Sequence, residues 1–176
     1  MAEGGAGGDR PQKVMVAIDE SDCSHYALEW VLANLRRSFS SSPLIVFSVQ
    51  AVPDTAYLTA ASLGSPPMEL IQVIQQHQKQ ASDALLKKAK KICAQHGVDV
   101  ETITDVGDPK EAICQAAEKM NIDLLVVGSH GKNALQRYTL LNILFWSVLI
   151  KAFLGSVSNY CVHNAKCPVL VVKKAA

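Results

Sequence analysis

Apolar and polar positions along the chain follow two alternating rhythms. Val14, Met15, Val16, Ala17 and Ile18 form an unbroken apolar run. Such a run, closed by Asp19, predicts a central strand buried on both faces. Ser21 or Asp22 is then positioned to cap a helix. Ala27, Leu28, Val31, Leu32 and Leu35 recur at helical spacing and make its apolar stripe. Residues 44–49 repeat the buried-strand pattern, and residues 53–67 read as a loop. Residues 68–96 predict a long amphipathic helix with Gly97 as its stop. The weak alternation of 98–104 predicts a more exposed strand. Asp108-Pro109-Lys110-Glu111 predicts a further helix start, with Asp as cap, Pro at the first helical position and Glu completing an Asp variant of the capping box. Ile113, Ala116, Ala117 and Met120 carry that helix's apolar face. Residues 124–127 and 169–172 are two more strands, with a fourth helix holding Cys161 and His163 before the last one.

Strands that alternate with helices predict one α/β domain, a doubly wound five-stranded parallel sheet with helices on both faces and right-handed crossovers. Ligands of such sheets sit beyond the carboxyl ends of the strands, where the strand order reverses. Asp19 and Gly128 each follow an apolar run and so belong to that edge. They become neighbours if the first and fourth strands are adjacent.

With 176 residues the chain is long enough for one well-buried domain. The expected division is a Gly-rich tail over residues 1–12 and a domain over 13–174. A formal charge of +1 gives no electrostatic case for nucleic acid. Five scattered cysteines (Cys23, Cys93, Cys114, Cys161 and Cys167) form no paired framework, which points to reduced thiols in the cytoplasm or nucleus. The start of the chain lacks the apolar core of a signal peptide. The most membrane-like run, residues 140–150, falls well short of the ~20 residues that a spanning helix needs.

The chemistry concentrates in Gly128-Ser129-His130-Gly131 and the later Gly155-Ser156. Glycines near a strand end let backbone approach a ligand, and a Gly-Ser opening a helix aims N–H groups at an anion. For the glycines alone, a tight turn is the simpler reading. Asp19 is equally able to serve the first helix as a cap. His130 suits a phosphate-facing role better than general acid catalysis, since no second catalytic group accompanies it. Cys161, His163 and Cys167 match no zinc spacing and are expected to pack or lie at the surface. Lys87, Lys88, Lys90 and Lys91 read as a solvated helix face, and Trp30 as core.

Together these residues resemble the universal stress protein family, especially its plant single-domain members. The resemblance rests on four separated elements in the right order. They are Val14-Met15-Val16-Ala17-Ile18-Asp19-Glu20-Ser21, Gly107-Asp108-Pro109, Val126-Val127-Gly128-Ser129-His130-Gly131, and Phe153-Leu154-Gly155-Ser156-Val157-Ser158 running on to Cys167-Pro168-Val169-Leu170-Val171-Val172. The resemblance implies strand order 3-2-1-4-5 and a homodimer paired through the last strand, residues 169–172. It implies binding of ATP or AMP, with magnesium arriving alongside ATP. Gly128, His130 and Gly131 would wrap ribose and phosphates. Gly155, Ser156, Val157 and Ser158 would bind phosphate. Asp19 would hold a ribose hydroxyl, Ala17 would line the pocket, and Val49 would meet adenine through its backbone. No Walker A loop is present, so at most weak hydrolysis is expected.

The chain departs from the family pattern between Gly131 and Gly155, where the motif allows nine residues. Aligning the two ends leaves residues 138–151 as an insertion. It contains Leu140, Leu141, Ile143, Leu144, Phe145, Trp146, Val148, Leu149 and Ile150. Lengthening a loop costs only about 0.6 kcal/mol per doubling, so the fold is expected to persist. Burying each large apolar side chain would gain roughly 1.5–3 kcal/mol, so this segment is expected to seek a surface. That surface is the nucleotide cleft, its own subunit or another protein. Nucleotide binding with reduced affinity is the first expectation. A protein-interaction role with the cleft disrupted, or a splice variant, is the alternative.

Overall fold

The computed structural model describes residues 12–39, 42–51, 68–129 and 157–174. In chain order its elements are β1 (Val14–Ala17), α1 (Asp22–Asn34), a 3₁₀ turn (Arg36–Phe39), β2 (Leu44–Ala51), α2 (Met68–Gln95), β3 (Val100–Gly107), α3 (Pro109–Lys119), β4 (Leu124–Ser129), α4 (Val157–Asn164) and β5 (Val169–Lys173). The five strands form one parallel sheet in the order β3-β2-β1-β4-β5. The expected fold class and strand order are both observed. The insertion at 138–151 lies outside the described residues, as do tail residues 1–11.

The apolar run of β1 is continuous because both of its faces are covered. Val14, Val16 and Ile18 face a core completed by Ala27, Leu28, Val31 and Leu32 of α1 and by Leu85, Leu86, Ala89 and Cys93 of α2. Met15 and Ala17 point the other way, into a second core with Phe47, Leu125, Ile113 and Ala117 of α3 and Cys161 of α4. Two helices therefore cover each face, and alternate strand residues serve alternate cores. Trp30 packs half-buried against the first core, and Lys87, Lys88, Lys90 and Lys91 of α2 are exposed.

Helix ends fix where the strands begin. Gly97, at φ +64°, closes α2. Its N–H donates to the Ala94 carbonyl and the Val98 N–H to the Cys93 carbonyl, both at 3.0 Å, which is the Schellman pattern. That motif occupies residues 97 and 98. Pairing of β3 accordingly starts at Val100 and runs to Gly107, later than the expected 98–104. Asp108 caps α3 by accepting the Lys110 N–H at 2.8 Å, with Pro109 in the first turn. β4 is longer than its apolar run: Gly128 and Ser129 are still paired, opposite Val172 and Lys173.

Candidate functional site

β1 and β4 are neighbours, with Ala17 opposite Val127. Their carboxyl ends therefore bring Asp19 and Gly128 to one edge, at the point where strand order reverses. Beyond β1 the backbone folds into a tight polar turn. Asp19 Oδ1 accepts the Ser21 N–H at 2.9 Å and the Ser21 hydroxyl as well. Ser21, not Asp19, is the cap of α1, its Oγ accepting the Ser24 N–H at 3.2 Å. Asp19 instead holds the capping residue in place, and its carboxylate sits exposed at the sheet edge.

Gly128 lies inside β4, and its lack of a side chain serves packing. A Cβ there would lie 2.6 Å from the Cys23 carbonyl oxygen and 2.9 Å from the Ser24 nitrogen. The first turn of α1 thus rests directly on the β4 backbone. This close approach accounts for the glycine without a ligand and is compatible with one.

Ala17, Val49 and Val157 come from three elements and share the second core. Phe47 turns its carbonyl toward β1, where it accepts the Ile18 N–H at 2.8 Å. Strand alternation turns the backbone of Val49 to the same side, beyond the last paired residue of β1. α4 follows β4 and precedes β5 in a crossover that must return to the amino end of the sheet. Val157 and Ser158 therefore open α4 at the carboxyl edge, where the first N–H groups of a helix lack intrahelical acceptors. Ser158 is buried. His130, Gly131, Gly155 and Ser156 lie outside the described residues.

Cys114 of α3, Cys161 of α4 and Cys167 lie close enough together to act on one another electrostatically. Burial pushes the Cys161 thiol up to about 12 and the Cys93 thiol up to about 11. All five cysteines are free. High thiol pKa values in apolar surroundings mark packing residues rather than nucleophiles. Among the described residues no group of three potential ligands is arranged to hold a metal. None of the described helices is long and apolar enough to cross a membrane. An open depression between Pro43, Lys90, Val98 and Glu101 lies at the opposite, amino-terminal edge of β2 and β3. Parallel sheets bind ligands at their carboxyl edge, and the depression gathers none of the candidate site residues.

A profile of the universal stress protein family matches residues 11–173. The chain belongs to the universal stress protein family. It is 32% identical to a universal stress protein A-like protein of Arabidopsis thaliana, over 96% of this chain and 94% of the relative. It is 31% identical to a universal stress protein of Methanocaldococcus jannaschii, over 93% of this chain and 82% of that one. A crystal structure of a universal stress protein family protein from Arabidopsis thaliana, with AMP bound, is similar at a TM-score of 0.63. It shares 29% identity, and 94% of each chain is covered. Sequence reasoning missed Ser24, whose hydroxyl is bonded to the Asp19 backbone. A serine in the first turn of a helix carries no signal by itself, and its role appears only in its bonds to Asp19.

Proposed function

We propose that this universal stress protein binds an adenine nucleotide, AMP or ATP with Mg²⁺, at the carboxyl edge of β1 and β4. The observation that carries the reading is the adjacency of β1 and β4, which brings Asp19 and Gly128 to one edge, with Val49 and Val157 packed around Ala17 beside it. The Arabidopsis neighbour, which holds AMP, supports it. In this reading the Asp19 carboxylate accepts a ribose hydroxyl. Ala17 lines the pocket and Val49 meets adenine through its backbone. Gly128, His130 and Gly131 wrap the ribose and phosphates. Gly155, Ser156, Val157 and Ser158 receive phosphate.

Binding would make the protein a sensor or switch to the extent that nucleotide prefers one of its shapes or assemblies. β5 lies at the edge of the sheet, which supports a homodimer formed through residues 169–172. The insertion at 138–151 separates the two halves of the phosphate motif and lowers affinity. Its apolar sequence favours a second reading, an interaction protein that has lost the nucleotide.

Calorimetric titration of AMP, and of ATP with magnesium, into the whole chain tests this. Saturable binding is expected. Asp19→Ala should weaken it by about tenfold or more, the worth of a hydrogen bond to a charged group. Deletion of 138–151 should tighten it. Absence of saturable heat from the whole chain contradicts the nucleotide reading. Binding by the deletion variant alone selects the interaction protein. Equal affinity of the two contradicts the effect assigned to the insertion.

A further inference from the structure

Ser24 is 5% exposed, and its hydroxyl bonds both polar groups of the Asp19 backbone. Its Oγ accepts the Asp19 N–H at 3.1 Å. Its proton has two acceptors, the Asp19 carbonyl at 2.8 Å and the Ser21 carbonyl at 3.0 Å. The Ser24 nitrogen also lies 2.9 Å from where a Gly128 Cβ would stand. The Ser24 hydroxyl thus clamps the turn after β1, while the Cys23–Ser24 peptide rests on the end of β4. Helix formation does not require this. Ser21 already caps α1, and of the Ser24 hydroxyl's bonds only the one to the Ser21 carbonyl is the ordinary back-bond of a helical serine.

We propose that Ser24 is a positioning residue for the nucleotide. It locks the Asp19 backbone against the first turn of α1, whose Cys23–Ser24 peptide packs on Gly128 of β4. The Asp19 carboxylate is thereby held where it meets a ribose hydroxyl. This rests on the nucleotide-binding reading above. The ligand feature it controls is recognition of the sugar, while adenine and phosphate contacts come from Val49 and α4.

The test is the affinity of the whole chain for AMP compared with its 2′-deoxy and 3′-deoxy analogues. Wild type is expected to bind at least one analogue more weakly than AMP. Ser24→Ala should lose about tenfold in AMP affinity and bind AMP and both analogues alike, because the misplaced carboxylate no longer reads the hydroxyl. Ser24→Cys keeps the side-chain volume, weakens the same bonds, and should show the same loss of discrimination if Ser24→Ala fails to fold. Ser82→Ala removes another buried serine hydroxyl, on α2, and should leave both affinity and discrimination unchanged. A Ser24 variant that keeps the wild-type preference for AMP, however far its melting temperature falls, overturns the proposal. So does a wild type that binds AMP but ignores the ribose hydroxyls. A wild type that binds no adenine nucleotide overturns the nucleotide reading itself.

Discussion

A methyl group at Gly128 would sit 2.6 Å from one backbone atom of Cys23 and 2.7 Å from another. Both belong to the first turn of α1, so relief requires the helix to lift from the sheet. Gly128→Ala should therefore destabilise the fold by about 1–3 kcal/mol, the cost of overpacking a close contact, read as a lower urea midpoint. An unchanged midpoint would mean that α1 yields freely. The sequence marks Gly128 and Asp19 as edge residues because each closes an apolar run. It does not tell the two uses of a glycine apart, since close backbone packing and close ligand approach demand the same missing side chain. For Ser24 the obstacle is different. Its three bonds reach residues three and five positions earlier, and the turn that brings them together has no signature in hydropathy.

Among the elements, starts and stops were legible where the residue type is specialised. Asp108-Pro109 and Gly97 mark a cap, a first turn and a helix stop, and all three serve as such. α3 ends by the same geometry as α2, but with Asn121 at φ 52° in place of glycine. The Asn121 N–H donates to the Glu118 carbonyl at 3.0 Å and the Ile122 N–H to the Ala117 carbonyl at 2.9 Å. Asparagine tolerates left-handed backbone and also occurs in ordinary turns, so the stop is not readable from the residue alone. Asn121→Val should cost about 1–2 kcal/mol, while Asn121→Gly should cost nothing, as measured by denaturant unfolding. Equal losses in both would show that the asparagine side chain, not its backbone conformation, holds this end. The late start of β3 has the same origin. A Schellman motif uses the residues that hydropathy alone assigns to the strand.

At the scale of the whole molecule, alternation of strand and helix was enough for a parallel sheet covered on both faces, because parallel strands need crossovers and crossovers carry helices. The neighbour relation of β1 and β4 was not derivable from that alternation, since several strand orders satisfy it. It followed from the family resemblance, and the pairing of Ala17 with Val127 shows it directly. This adjacency carries the functional account, because it assembles one edge from residues more than a hundred positions apart. The most direct test is an amide chemical-shift titration of the isotope-labelled whole chain with AMP. The account predicts saturable shifts concentrated at Ala17, Asp19, Ser21, Gly128, Ser129, Val157 and Ser158. Shifts confined to the opposite edge, around Lys90 and Glu101, or no saturable shifts at all, would contradict it.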